Sequence, residues 1–524
     1  MDFELPQIYS FFFFPICKTQ NIRRDFSLPL NTSRGGDSAL SRLFPAADKP
    51  VFGVPVTNKP KSSCTMIDPE KYAALHQKQR TFFDKHLTRE IPYRLSALRR
   101  LRESIEKHEA DLTRALQADL GKAPFESYTS EIGLVLKEIS YLQRHLARWA
   151  TDRRRATPLL LLGSRSRLHY EPRGTVLIIA PWNYPFNLSL MPLVGAIAAG
   201  NCAVVKPSGE APHTAACLQQ LIGECFEESY IAVTEPDLEV TDALLSLPWD
   251  YIFYTGSQSY GRHVMEAASR HLTPLTLELG GKSPCIVDND ADLRVAAQRI
   301  AWGKLLNAGQ TCVAPDTLFV HKEVKNSLLE ALIKEIKTQY GPDPRRSPDY
   351  PHIVNTRHFD RLAALLPYGD ILHGGSTDRD RLYIEPSLIE NAPSDSPLMT
   401  DEIFGPILPI VPFERIDLCL EYIRKRPTPL ALYYFTSSRK RARHVVNHTA
   451  SGGVCINDTV IHVVNSHLPF GGVGQSGMGA YHGRYSFELF SHAKPVMSSP
   501  AHLLPNLKCA PYGDRLRWIK WLFR

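Results

Sequence analysis

Cys312 sits in "NAGQTCVAP" (Asn307–Pro315), among small residues in a stretch that reads as a loop, where a bound molecule can come close. Its thiolate would attack a carbonyl carbon readily and depart readily from a thioester. Glu278 lies 34 residues earlier in "LELGGKSP" (Leu277–Pro284), followed by Gly280 and Gly281, which would let a carboxylate change position and activate water. Asn183, in "PWNYPFN" (Pro181–Asn187), carries a side-chain amide that can donate hydrogen bonds. "EIFGPILP" (Glu402–Pro409) is the fourth conspicuous segment. Taken singly, each residue has a plainer reading. A lone cysteine is usually a small buried hydrophobe, as expected of Cys202, Cys285 and Cys455. Glu278 is one of 54 acidic residues, and Asn183 is a turn asparagine between two prolines.

These segments need a scaffold, and the hydrophobic pattern supplies one. Helical spacing starts near Met66, with Asp68-Pro69 as a start signal, and continues through Leu95, Leu98, Leu101, Ile105, Leu112 and Leu116. "TVLIIAPWNYPF" reads as a buried strand running into a loop, followed by a helix over Leu190–Ala199 and a second strand in "GNCAVVKPS". "YIAVT" and "YIFYTGS" repeat the pattern, which predicts an α/β sheet before residue 280. A second α/β stretch follows, with strands in "PCIVDND" and "DTLFVH" and helices near Asp292–Leu306 and Val324–Tyr340. Residues 1–65, rich in Pro, Ser and Asn without periodic patterning, are expected to be a poorly ordered extension.

The chain of 524 residues has room for two to four structural units. Its net charge of +7 is too small a bias over that length for a nucleic-acid binder. Three of those charges fall in residues 1–65 and four in 501–524, so the body between them is neutral. The ten cysteines form no C-x-x-C pair, which suits free thiols in a reducing, cytoplasmic setting. No apolar run reaches the 18 or so residues of a spanning helix. Asp2 and Glu4, ahead of Phe11–Phe14, argue against a signal or transit peptide.

Two motifs are set aside. Gly472, Gly474 and Gly477 satisfy G-x-G-x-x-G but lack the following βαβ unit and acidic residue of a dinucleotide fingerprint, so they read as a chance match or a glycine-packed loop. Asp288, Asp290 and Asp292 imitate a calcium loop, but Leu293 and Arg299 stand at its sixth and twelfth positions, and helix capping is the expected role. No paired Cys/His spacing supports a metal site.

Taken together and in order, the four segments resemble the aldehyde dehydrogenase superfamily from about Met66 to the end, and Leu468–His492 resembles its class 3, fatty-aldehyde branch. That resemblance implies a Rossmann-type cofactor domain (66–150 and 171–278), an α/β catalytic domain (279–480), and a bridging or oligomerisation segment (151–170) completed by 481–524. It also implies a homodimer, with the stretch around Leu159–His169 as an intersubunit strand. Cys312, Glu278 and Asn183 would be the catalytic nucleophile, base and oxyanion donor. Trp182, Lys206, Ser208, Gly256, Ser257, Gly261, Leu279, Glu402 and Phe404 would bind NAD or NADP. The implied reaction oxidises a medium- or long-chain aliphatic or aromatic aldehyde to its acid. The alternatives are a CoA-acylating dehydrogenase, against which Glu278 argues, a silent protein on the same fold, and a cysteine hydrolase, for which no partner histidine can be named.

One departure from the family pattern bears on the cofactor. Family members often read K-P-S-E where this chain has Lys206-Pro207-Ser208-Gly209, so the carboxylate expected at the ribose 2′-hydroxyl is absent and NADP should serve at least as well as NAD. At the other end, "DRLRWIKWLFR" (Asp514–Arg524) is amphipathic, aromatic and basic. Such a tail suits either peripheral contact with an intracellular membrane or a cover over a substrate mouth.

Overall fold

The structure, a computed structural model, describes residues 68–161, 163–500 and 510–523. The proposed extension 1–65 therefore lies outside the described residues. Asp68 caps the first helix, Pro69–Phe83, by accepting from the Glu70 N–H at 3.0 Å. Helices Ile91–Lys107, Glu109–Leu120 and Gly133–Ala150 follow, and their apolar stripes, including Leu98, Leu101, Leu112, Leu116 and Leu142, are fully buried.

Those helices pack beside a six-stranded sheet ordered Gly477–Met478, Leu275–Leu279, Tyr251–Gly256, Thr175–Ile179, Cys202–Lys206 and Ile231–Val233. The last five strands are parallel. The first of them in the chain, Thr175–Ile179, has a later strand on each side, so the strand order reverses there. A crevice opens at the carboxyl ends of strands at such a reversal. The helix Asn187–Ala199 begins three residues before the position expected from its apolar run, because Asn187 and Leu188 continue the turn that Tyr184 and Phe186 start. Almost every position of this helix is buried, which is why its sequence is apolar all round.

The second sheet has seven strands, ordered Asp370–His373, Ser387–Glu390, Ile407–Phe413, Thr317–His321, Pro284–Val287, Ala431–Phe435 and Gly453–Ile456. All neighbours are parallel except the first pair. Helices Leu293–Leu305 and Lys325–Tyr340 fall where expected.

A third, antiparallel sheet joins Arg153–Arg155, Arg165–Pro172 and Ser491–Ser498. Part of the stretch around Leu159–His169, expected to be an intersubunit strand, lies in this sheet. Leu159–Leu161 is a tight helical turn, and Arg165–Pro172 is the central strand, hydrogen-bonded on both sides by strands of its own chain. The free edges belong to Arg153–Arg155 and Ser491–Ser498. Among the described residues no helix is long and apolar enough to cross a membrane. The terminal helix Leu516–Leu522 exposes Trp518 and Trp521 at 66% and 70%.

Candidate active site

The loop that delivers Cys312 is held in an unusual conformation. Asn307, Ala308 and Gly309 all adopt positive φ, 54°, 52° and 76°. For the two residues that carry a Cβ this costs about 1–2 kcal/mol each. Hydrogen bonds offset that cost. The Asn307 N–H donates to Glu126 Oε1 at 2.8 Å, and its side-chain amide donates to the carbonyls of Asn183 (2.8 Å) and Gln310 (3.1 Å). The Gln310 side chain donates to the carbonyls of Asn307 and His352, both at 3.1 Å, and accepts from the Val354 N–H at 3.0 Å. Gly309 is obligatory, since a Cβ there would lie 2.2 Å from the Gly405 carbonyl oxygen.

The loop ends with Cys312 on a cavity of about 750 Å³ at the carboxyl ends of the first sheet's strands, which Asn183, Glu278, Glu402, Trp182 and Phe404 also line. Burial, with the Glu402 and Glu278 carboxyls in electrostatic range, pushes the thiol up to about 12. The N–H groups of Cys312 and Val313 face its sulfur and pull the other way. Asn183 follows the strand Thr175–Ile179 and is only 3% exposed. Its Nδ2 donates to the Gln310 carbonyl at 3.1 Å, two residues from Cys312. An amide nitrogen has two hydrogens, so one remains for a substrate oxygen.

Glu278 is 3% exposed on the strand Leu275–Leu279, not in the loop that its following glycines suggested. Its backbone pairs with Thr255 on one side and Gly477 on the other. Neither carboxyl oxygen has a partner, and burial alone raises its pKa well above the usual carboxylate range. Burial thus favours its neutral form and makes the ionised form a stronger base. Gly477 belongs to the glycine-packed turn anticipated for residues 472–477. A Cβ at Gly477 would meet the Leu277 carbonyl at 2.1 Å, and one at Gly472 the Ser476 carbonyl at 2.0 Å.

Glu402 rests on the other wall. A Cβ at Gly280 would be 2.0 Å from its Oε2, so glycine there makes room for the carboxyl. Burial raises its pKa to about 8 against the pull of the Gly281 N–H, and Oε1 is unpartnered. Lys282 pairs with Asp316 and donates to the carbonyls of Leu398 (2.9 Å) and Asp401 (2.8 Å), while Asp316 accepts from the Ile403 N–H at 2.9 Å. Both neighbours of Glu402 are thus anchored. Phe404, at φ 52°, stands edge-on to Trp182 with ring centroids 5.4 Å apart.

A dinucleotide fits the remaining features. Ser257 caps the helix Gln258–Ser269, and Gly256, Ser257, Ser259 and Arg262 line the cavity where that helix begins. N–H groups at a helix start together with an arginine suit a pyrophosphate. The unpartnered Glu402 Oε1 suits a ribose hydroxyl. Leu279 lines the same cavity. Three other expected cofactor residues do not line it. A Cβ at Gly261 would sit 2.8 Å from a Leu279 methyl, so this glycine lets the helix pack closely on its strand. Lys206 is buried with its Nζ donating to the Pro236 carbonyl at 2.9 Å, and burial lowers its pKa to about 8. Ser208 accepts from the Glu210 N–H at 3.3 Å. Gly256 lines the cavity, but the structure gives a different reason for it, because a Cβ there would meet the Tyr254 hydroxyl at 2.3 Å.

Of the three calcium-loop aspartates, only Asp292 caps a helix, accepting from Val295 at 3.0 Å. Asp288 takes the Tyr434 hydroxyl at 2.6 Å and Asp290 that of Thr436 at 2.7 Å. Among the described residues no three His, Cys, Asp or Glu side chains converge as metal ligands.

Residues 51–496 match the model of the aldehyde dehydrogenase family. The chain belongs to that family. It is 46% identical to the 4,4'-diaponeurosporen-aldehyde dehydrogenase of Staphylococcus aureus over 447 residues, 85% of this chain and 97% of the relative. It is 42% identical to the rat dimeric NADP-preferring aldehyde dehydrogenase over 431 residues, 81% and 95% of the two chains. Mouse aldehyde dehydrogenase family 3 member A2 is 43% identical over 84% of this chain and 92% of its own length, which agrees with the class 3 resemblance. The solved structure of a substrate-bound Staphylococcus aureus AldH superposes with a TM-score of 0.85 at 45% identity, covering 88% of this chain and all of that one. The chain is an NAD(P)-dependent aldehyde dehydrogenase by family and fold.

Proposed function

We propose that this enzyme oxidises medium- or long-chain aliphatic or aromatic aldehydes to free carboxylates through a thioester on Cys312. The observation that carries this reading is the convergence of Cys312, Asn183 and the unpartnered Glu278 on one cavity. Trp182, Leu188, Met399 and Phe404 give that cavity apolar walls suited to an apolar aldehyde.

The Cys312 sulfur bonds to the carbonyl carbon, and its proton leaves to solvent. The new oxyanion accepts from Asn183 Nδ2 and the Cys312 N–H. A bound NAD or NADP supplies the hydride acceptor, held by Glu402, Phe404 and the start of the helix Gln258–Ser269. Loss of hydride from the adduct carbon leaves a thioester on Cys312. Glu278, once ionised, takes a proton from water as that water attacks the thioester, and the thiol is restored as the acid departs. A CoA-acylating reaction would not need this base, so Glu278 favours hydrolysis. The test is NAD(P)H formation across an aldehyde panel, with acid and acyl-CoA quantified. Acyl-CoA as the main product in the presence of CoA would refute the hydrolytic reading.

The enzyme is proposed to act as a homodimer, with the free edges of the third sheet available for pairing between subunits. The exposed Trp518, Trp521 and Phe523 beside Arg517 and Lys520 favour contact with an anionic membrane surface.

A further inference from the structure

Lys122 and Glu131 form an ion pair with no solvent exposure on either side chain. Both come from the helical segment that precedes the first sheet. Lys122 follows Gly121, whose φ of 69° ends the helix Glu109–Leu120 and turns the chain inward. Glu131 lies in a wide helical turn, Tyr128–Ile132, of the kind that often marks functional sites. Replacing a buried ion pair by apolar residues is often neutral or stabilising, so stability alone does not account for this one.

The other contacts of the pair do account for it. Lys122 Nζ donates to the Asn183 carbonyl at 3.0 Å and stands 4.0 Å from the centre of the Tyr184 ring. Glu131 Oε2 accepts from the N–H groups of Phe186 (3.1 Å) and Asn187 (2.9 Å). One ion pair therefore grips both ends of the loop 183–187, its carboxylate sitting at the positive end of the helix Asn187–Ala199. The Asn183 carbonyl also accepts from Asn307, in the cysteine loop, at 2.8 Å. These donors fix the peptide from which the Asn183 side chain leaves, and thus the direction of its free amide hydrogen.

We propose that Lys122 and Glu131 are positioning residues that hold Asn183 in register with the Cys312 adduct. The proposal rests on the reading of Asn183 as the oxyanion donor. Neither residue touches the cavity, so their effect must pass through the loop.

The test is a double-mutant cycle on the single-turnover rate of NAD(P)H formation with the full chain, with cofactor affinity measured alongside. Lys122→Met is expected to slow that rate about 10- to 100-fold in the wild-type background, leaving NAD(P) affinity within about twofold. In an Asn183→Ala background the same substitution is expected to change the rate less than about twofold, because the group it positions is already gone. If Lys122→Met does not fold, the neutral pair Lys122→Met/Glu131→Gln carries the same test, since the amide oxygen still accepts from Phe186 and Asn187. Equal slowing with and without Asn183, or no slowing at all, overturns the positioning role while leaving the Asn183 reading intact. An Asn183→Ala variant as fast as wild type overturns that reading and this proposal together.

Discussion

Glu278→Gln separates the two halves of the proposed reaction. The carboxyl is buried, lacks hydrogen-bond partners and is raised by burial alone, so an amide of nearly the same shape replaces it without leaving a partner stranded. The variant should fold at least as well as wild type. What it loses is the base for thioester hydrolysis, and removing a positioned general base typically costs about 10²- to 10⁴-fold. Hydride loss precedes that step. Rapid mixing of enzyme, cofactor and aldehyde should therefore give one NAD(P)H per active site at a rate near wild type, followed by a steady state slower by that factor. The acyl group should remain on the Cys312 peptide and be visible by mass spectrometry. Because wild-type Glu278 must ionise to act, steady-state turnover should rise with pH in the wild type and be flat in the variant. Loss of the initial NAD(P)H together with the steady state would refute the reasoning and move Glu278 to an earlier step, as the base for the Cys312 thiol.

Three further outcomes are expected. Glu402 has a folded pKa of about 8 against an ordinary 4.5, so the folded chain binds more protons than the unfolded one across that window and loses stability as pH rises through it. Without cofactor, Glu402→Gln should be more stable than wild type by about 2–4 kcal/mol near pH 8 and equal to it near pH 4.5, at roughly 1.4 kcal/mol per pH unit; urea titrations at the two pH values check this, and a difference that does not change with pH contradicts it. Glu210, one residue past the Lys206–Gly209 turn, is paired with Arg357 and Asn355, so its charge is offset there; kcat/KM with NADP should at least equal that with NAD, and Gly209→Glu should lower the NADP value about tenfold or more relative to NAD. Deleting residues 514–524 should weaken binding to phosphatidylserine vesicles while leaving turnover of a short aldehyde unchanged, and undiminished vesicle binding would exclude the membrane role.

Much of this arrangement is readable from the chain because its signals are local. The run Thr175–Ile179, the strand Cys202–Lys206 and the helix between them announce themselves through continuous apolarity. Cys312, Glu278 and Asn183 stand inside segments whose order and spacing carry a family resemblance. The supporting residues carry no such mark. Lys122, Glu126 and Glu131 fall among the charged positions of a helical stretch, where such residues ordinarily face water, and the wide turn at Tyr128–Ile132 breaks the periodicity that would have placed them. Nothing in "LNAG" betrays that Asn307 and Ala308 take left-handed conformations, since contacts with Glu126 and Asn183, far away in sequence, hold them there. The glycines show the opposite problem. Gly256 and Gly261 sit at the expected positions, but the atoms that exclude a Cβ belong to Tyr254 and Leu279, which only the folded packing brings near.

The covalent mechanism depends most directly on the Cys312 thiol. NAD(P)H formation by Cys312→Ala, measured across the aldehyde panel with cofactor binding verified, should fall to background while NAD(P) still binds. Turnover retained by that variant would contradict the covalent mechanism.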